Sequence, residues 1–119
     1  GGDLQDQTTL NVLLNALEFG MPPEKAVTVP RFSTDHMENS FDSDPDRDRA
    51  FKAPGSLQVN EGIPESVRND LASRGHTLSV AEGHIAMPVM LSIDEDGTMH
   101  AAGDPDAGRH AGALGGEKG

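Results

Sequence analysis

The apolar residues near the start of the chain repeat with the period of an α-helix. Four leucines are spaced three and four residues apart and share one helix face: Leu10, Leu13, Leu14 and Leu17. Gly20 then ends this predicted helix. A second, short helix is predicted to begin at Pro23 and end before Pro30, because proline fits the first helical turn and disfavours helical geometry in the residue before it.

The middle of the chain changes character. Residues 33–54, here called the 33–54 segment, show no sustained period and hold much of the acid, which predicts a long surface excursion that is either functional or partly mobile. Leu57 and Val59 alternate with polar neighbours, as in a short strand. A further helix is predicted from an apolar series at helical spacing: Ile63, Val67 and Leu71. Pro64 marks its start, and Gly75 lies just past its end.

The longest strand-like pattern is HIAMPVMLSID, residues 84–94. Alternate apolar residues share one face of it: Ile85, Met87, Val89, Leu91 and Ile93. The other face is also largely apolar, so the strand is expected to lie between layers. Pro88 cannot donate to a strand ladder, which predicts an edge or a bulge there. The DEDG sequence at 94–97 predicts a hairpin turn into a strand at 98–102.

These elements predict an α+β fold in which helices cover a sheet. The length of 119 residues fits one domain. Aromatic residues make up 3% of the chain, so the core must be built from aliphatic residues and methionine. Residues 115–119 are expected to form a flexible tail.

Charge and composition narrow the function classes. The net charge is −11, with nine basic residues among twenty acidic ones, which argues against nucleic acid as a partner. No apolar run reaches the roughly 20 residues of a membrane span. The chain has no cysteine, so it has no disulfide and no thiolate ligand or nucleophile. The composition leaves the compartment open: periplasmic or extracellular, or cytoplasmic.

Alternating acids in DSDPDRDR resemble the start of a calcium loop: Asp42, Asp44, Asp46 and Asp48. Position six of such a loop would be Arg47 instead of glycine, and position twelve Ala53 instead of glutamate. A solvated charged loop is therefore favoured, and a non-catalytic acidic module that binds calcium or a partner is kept as the alternative. The five histidines show no metal-binding spacing, so no metal and no cofactor are predicted.

The chain contains no convincing nucleophile of its own. Thr8 and Thr9 lie inside the sequence, where neither has the free amine that activates an N-terminal threonine. Gly1 and Gly2 open the chain at the entrance of the leucine-rich helix. A glycine pair at this position leaves backbone N–H groups unshielded, which suits an oxyanion, although a simple glycine turn or a frayed end would look the same.

Four segments, taken in order, resemble one known family: GGDLQDQ, AVTVPRF, LASRGH and GTMHAAGDPDAGRHAGAL. They resemble the C-terminal part of the small subunit of the γ-glutamyltransferase (γ-glutamyltranspeptidase) family, from residue 1 to about residue 114. The resemblance makes residues 1–114 an incomplete domain. It implies a fragment of the αββα sandwich of the N-terminal-nucleophile hydrolases.

The resemblance also implies an activity. A threonine, exposed by self-cleavage, takes the γ-glutamyl group from glutathione or a related amide and passes it to water or an amino acid. Gly1 and Gly2 match the family's oxyanion-hole glycines, whereas the threonine lies upstream of this chain. The fragment alone is therefore expected to be inactive, and its partners are the remainder of the enzyme and a small γ-glutamyl substrate. The family's closing DPR reads DPDAGR here, where Arg109 is the nearest arginine.

Overall fold

The computed structural model describes residues 2–36, 38, 41–51, 53–112 and 114. These residues contain four helices and five strands, in the order α1 Asp3–Leu17, α2 Pro23–Thr28, β1 Phe32–Ser33, α3 Arg47–Ala50, β2 Ser56–Asn60, α4 Glu65–Ser73, β3 Thr77–Ala81, β4 Val89–Ile93 and β5 Met99–Gly103. The chain divides into two compact units, Gly1–Thr9 with Pro30–Ala86, and Leu10–Val29 with Met87–Gly119.

The first unit is built on a three-stranded sheet in the order β1-β2-β3. Strand β1 is antiparallel to β2, and β2 is parallel to β3. Parallel neighbours require a crossover, which helix α4 supplies between them. The Val59 side chain of β2 is fully buried, as its alternation with polar neighbours predicted.

Helix α4 ends shortly before Gly75, as the sequence predicted. Gly75 has φ +99°, and the backbone N–H of His76 donates to the Leu71 carbonyl over 3.3 Å. The His76 backbone amide therefore satisfies the end of the helix.

Three elements of the first unit were not predicted. Strand β1 has only two residues, one of them inside the 33–54 segment. Strand β3 follows α4 directly, and its alternating sequence TLSVA carried a strand signal. Helix α3 is a single turn inside the 33–54 segment, so that segment is not wholly irregular. Asp46 caps α3 by accepting the Asp48 backbone N–H over 3.1 Å.

The second unit contains the C-terminal half of α1, helix α2 and the β4–β5 hairpin. Its buried core joins all three: Val12, Ala26, Val27 and Ala102, with Ala16, Met21 and Met90 packed against them. The hairpin is antiparallel, with Leu91 opposite Ala101, and Gly97 takes the left-handed conformation in its turn at φ +84°. Both the short α2 helix and the DEDG turn are as predicted.

Two apolar faces, one on α1 and one on β4, are more exposed than their sequence patterns indicate. The four leucines of α1 are exposed, because the helix turns Val12 and Ala16 toward the core instead. Strand β4 begins only after Pro88, and its Leu91 and Ile93 side chains are 70% and 72% exposed. The strand is thus covered on one face and bare on the other, not buried on both.

The predicted tail at 115–119 lies outside the described residues. None of the helices in the described part of the chain is long and apolar enough to cross a membrane.

Candidate functional site

Gly2 forms the entrance to helix α1. Its φ is +68°, a conformation that favours glycine, and its carbonyl oxygen accepts the backbone N–H groups of Gln5 and Asp6 over 3.0 and 3.4 Å. No hydrogen bond among the described residues uses the N–H of Gly2. Gly1, the other half of the predicted oxyanion site, lies outside the described residues. The described part of the predicted oxyanion site is therefore the Gly2 amide, at the N-terminus of helix α1.

The ring of Phe41 lies against Gly2. A Cβ placed on Gly2 would meet Phe41 Cε2 at 2.9 Å and Cδ2 at 3.3 Å. The 33–54 segment therefore returns to the helix entrance, a contact that no local pattern indicates. Any larger residue at position 2 would have both an unfavourable φ and a steric conflict.

Gln7 links helix α1 to the chain that follows β1. Its Nε2 donates to the Thr34 carbonyl over 2.9 Å, and its Oε1 accepts the Thr34 backbone N–H over 2.8 Å. The two residues are 27 positions apart in sequence. We call this reciprocal pair the Gln7–Thr34 clasp.

Thr34 is tied in turn to strand β2. Its hydroxyl donates to the Ser56 carbonyl over 2.7 Å and lies 2.6 Å from Nδ1 of His36. The Ser56 hydroxyl accepts the Asp35 backbone N–H over 3.1 Å. Helix entrance, β1 and β2 are thereby joined in one network.

The AVTVPRF segment supplies a buried arginine. Arg31 is 5% exposed, and its Nε donates to the Ile85 carbonyl over 2.9 Å. Its carbonyl accepts the Asn60 backbone N–H over 2.9 Å, next to the β1–β2 pairing. Arg31 therefore connects distant parts of the first unit.

The closing DPDAGR motif forms a turn around a buried acid. Asp104 is 5% exposed; its Oδ1 accepts the Asp106 N–H over 3.1 Å, and its carbonyl accepts the Arg109 N–H over 2.9 Å. The Arg109 side chain is exposed and makes no ion pair within the described residues, so its part in this turn is carried by its backbone. The backbone of Arg109 passes so close to Gly103 that a Cβ there would lie 2.6 Å from the Arg109 oxygen.

The rejected nucleophile has a structural role. Thr8 is buried, and its hydroxyl donates to the Leu4 carbonyl over 2.7 Å within α1. This intrahelical bond is common for threonine in helices.

Two acids of the DSDPDRDR stretch form ion pairs with an arginine of the same stretch. Arg49 lies 3.3 Å from an Asp44 oxygen and 3.4 Å from an Asp46 oxygen. Both acids also accept backbone N–H groups of this loop. Among the described residues, no three acidic or histidine side chains are grouped as a metal site. The arrangement favours the charged-loop interpretation over the calcium module.

His100 and Asp94 form a pair on the β4–β5 hairpin, with Nε2 and Oδ2 2.8 Å apart. The hydrogen bond to Asp94 raises the pKa of His100, and the charges of Asp94, Glu24 and Asp96 act in the same direction. Hydrogen bonds from Thr98 lower the pKa of Asp96. This pair lies in the second unit, whereas Gly2 lies in the first.

Solved structures share this fold. A highly active mutant of the gamma-glutamyltranspeptidase from Pseudomonas nitroreducens matches 92% of the chain at 19% identity, with a TM-score of 0.67. A mutant of the Helicobacter pylori gamma-glutamyltranspeptidase matches 85% at 21% identity and a TM-score of 0.59. The cephalosporin acylase from Bacillus halodurans matches 98% at 22% identity and a TM-score of 0.74. No curated protein sequence matches the chain significantly.

The matches cover only part of these neighbours. The chain spans 49% and 47% of the two gamma-glutamyltranspeptidase chains and 19% of the acylase chain. Its fold is that of a fragment of the N-terminal-nucleophile hydrolase sandwich, as predicted. The family model of gamma-glutamyltranspeptidase matches residues 1–114, and the chain therefore belongs to that family.

Proposed function

We propose that the chain is the C-terminal part of the catalytic small subunit of a γ-glutamyl transferase or hydrolase acting on glutathione or related γ-glutamyl amides. In this proposal the backbone N–H groups of Gly1 and Gly2 stabilise the oxyanion of the tetrahedral intermediate. The observation that supports it is the Gly2 N–H, which has no partner among the described residues and stands at the entrance of a 15-residue helix.

The proposed role follows from elementary electrostatics. Acyl transfer places negative charge on the former carbonyl oxygen, and the N-terminus of a helix carries partial positive charge. A donor already fixed in place needs no reorganisation when that charge develops, and one such donor contributes roughly 3 kcal/mol of transition-state stabilisation. The Gly2 carbonyl accepts the N–H groups of Gln5 and Asp6, which ties Gly2 to the first turn of α1.

The nucleophile is proposed to be a threonine encoded upstream of residue 1. Within the described part of the chain, Thr8 is committed to its intrahelical bond. The chain also covers about half of the matched gamma-glutamyltranspeptidase chains, which leaves room for a catalytic threonine outside it. Residues 1–119 alone are accordingly inactive in this proposal.

The remainder of the enzyme is proposed to cover the bare face of the hairpin, namely Val89, Leu91, Ile93 and Met99, all of them exposed. Apolar surface of this kind gains free energy when it is removed from water. The outer edge of β4 is also available. Because Asp94 N–H bonds Thr98 O and Asp104 N–H bonds Pro88 O, the alternation of an antiparallel pair directs the backbone groups of Val89, Leu91 and Ile93 away from β5.

The test is an assay of the longer protein that contains this chain and its upstream segment. With a chromogenic γ-glutamyl anilide and a dipeptide acceptor, we expect γ-glutamyl transfer, and none from residues 1–119. Gly2→Ala keeps the backbone N–H but disfavours the φ of +68° and places a Cβ 2.9 Å from Phe41 Cε2, so the N–H is misdirected and kcat should fall by about 100-fold. Gly20→Ala is the matched control, since Gly20 has a similar φ of +64° with no neighbouring atoms within 4 Å.

A double variant separates the steric clash with Phe41 from the other effects of Gly2→Ala. Gly2→Ala combined with Phe41→Ala removes the steric clash, so activity still missing relative to Phe41→Ala alone reports on the amide direction that the φ of +68° at Gly2 sets. Equal activities of the Gly2→Ala and Gly20→Ala proteins, or a longer protein that turns over no γ-glutamyl donor, would contradict the proposal.

A further inference from the structure

The Gln7–Thr34 clasp requires one donor and one acceptor on the same side chain. Nε2 donates to the Thr34 carbonyl while Oε1 accepts the Thr34 N–H, over 2.9 and 2.8 Å. A primary amide supplies both groups in one plane. Glutamate at position 7 would keep the acceptor but place a carboxylate oxygen against the Thr34 carbonyl oxygen. Methionine would lose both bonds.

The clasp connects the helix entrance to a sheet. Gln7 lies on α1 about 7.5 Å along the helix axis from Gly2. Thr34 immediately follows β1, and its hydroxyl bonds the first residue of β2, Ser56. Gly2, Gln7, Thr34 and Ser56 all belong to the first compact unit. A side chain, and not a strand ladder, thus joins the second turn of α1 to the backbone next to the sheet.

We infer that Gln7 is a positioning residue that holds the N-terminus of α1, and with it the Gly2 amide, against the β1–β2 pair. The inference rests on the proposed function for its catalytic consequence. Gln7 touches no reacting atom; it acts by fixing the direction of the Gly2 N–H. Misdirection of an oxyanion donor affects the transition state more than the bound substrate, so kcat falls while KM changes little.

The test compares three variants of the longer protein that includes the nucleophile segment: Gln7→Glu, Gln7→Met and Gln58→Glu. Gln58 is an exposed β2 residue whose side chain makes no hydrogen bond among the described residues. Gln58→Glu therefore makes the same chemical change as Gln7→Glu without breaking a hydrogen bond of the described residues. We expect Gln7→Glu and Gln7→Met to lower kcat by about 10- to 100-fold at pH 8, with KM within about twofold. Gln58→Glu should retain wild-type kinetics.

The pH profile separates positioning from general loss of structure. A protonated glutamic acid again offers one donor and one acceptor, so it restores the clasp. Between pH 8 and pH 5 the ratio of kcat for Gln7→Glu to that of wild type should rise by about threefold or more, as the carboxyl approaches its ordinary pKa range. The same ratio for Gln7→Met should stay flat. A flat ratio for Gln7→Glu, or a loss confined to KM, overturns the inference.

Hydrogen exchange gives a readout that does not depend on activity. In the same proteins at pH 8, amides of residues 2–9 should exchange faster in both Gln7 variants than in wild type and Gln58→Glu. Unchanged exchange there overturns the inference even if activity falls. If the wild-type protein lacks γ-glutamyl transfer, the proposed function fails, and the exchange data still decide whether Gln7 holds the helix entrance.

Discussion

At the scale of single residues, close backbone approaches constrain the sequence most tightly. Gly103 is the clearest case, because a Cβ there would lie 2.6 and 2.7 Å from the carbonyl oxygen and carbon of Arg109. Neither atom belongs to a flexible side chain, so the segment after Asp104 would have to shift as a whole.

Gly103→Ala should therefore destabilise the chain by about 1–3 kcal/mol, the range of overpacking changes. Gly112→Ala is the control, since no atom lies within 4 Å of a Cβ built at Gly112. Urea unfolding of the two variants measures the difference. A Gly103→Ala chain as stable as Gly112→Ala would show that the approach to Arg109 is not closely packed.

His100 makes one contribution to stability dependent on pH. Its pKa is raised above the ordinary 6.5, chiefly by the hydrogen bond to Asp94. A raised pKa in the folded state means that the stabilisation is complete below pH 6.5 and is lost as the pH rises through the folded-state pKa. In an NMR titration, Asp94→Asn should move the His100 midpoint downward. A midpoint that the substitution leaves unchanged would exclude the pair as its cause.

At the scale of elements, local pattern predicted helices α1, α2 and α4, strand β2 and the hairpin turn. These have signals within a few residues, such as Pro23 at a helix start and Gly97 in a turn. Strand β3 was missed although TLSVA alternates, and both β1 and α3 are too short to show a period. Which face of α1 is buried could not be predicted, because the leucines form the stronger stripe and yet Val12 contacts the core.

The candidate site likewise has one feature that the sequence shows and others that it does not. The diglycine is visible in the sequence because two glycines before a helix are a local feature. The clasp joins Gln7 and Thr34, which are 27 positions apart in sequence. Phe41, which lies against Gly2, is 39 positions from it. Such contacts depend on the tertiary fold, and an isolated glutamine on a helix carries no sign of them.

The bare face of the β4–β5 hairpin leads to a prediction at this scale. Residues 1–119 alone should bind a hydrophobic dye and self-associate, because Leu91 and Ile93 remain in water. Leu91→Ser should reduce both effects. Leu114→Ser is the control, since Leu114 is 90% exposed and lies outside the hairpin. A wild-type chain that stays monomeric, binds no dye and melts sharply at high temperature would contradict a missing covering layer.

At the scale of the whole molecule, the chain has the fold of a fragment of the N-terminal-nucleophile hydrolase sandwich. It belongs to the gamma-glutamyltranspeptidase family and has about half the length of the matched gamma-glutamyltranspeptidase chains. Inside the acidic loop, Arg49 pairs with Asp44 and Asp46, so these two carboxylates have a partner within the chain. The proposed activity accordingly depends on the backbone at Gly2 and on residues supplied from upstream.

The most direct measurement is a crystal structure of the longer protein after reaction with a covalent γ-glutamyl inhibitor that leaves a tetrahedral or acyl adduct on the threonine. We expect the Gly2 nitrogen to lie about 2.7–3.1 Å from the adduct's oxygen, within hydrogen-bond distance. A Gly2 N–H turned to bulk water, or bonded within the protein while the adduct's oxygen is held by other groups, would contradict it.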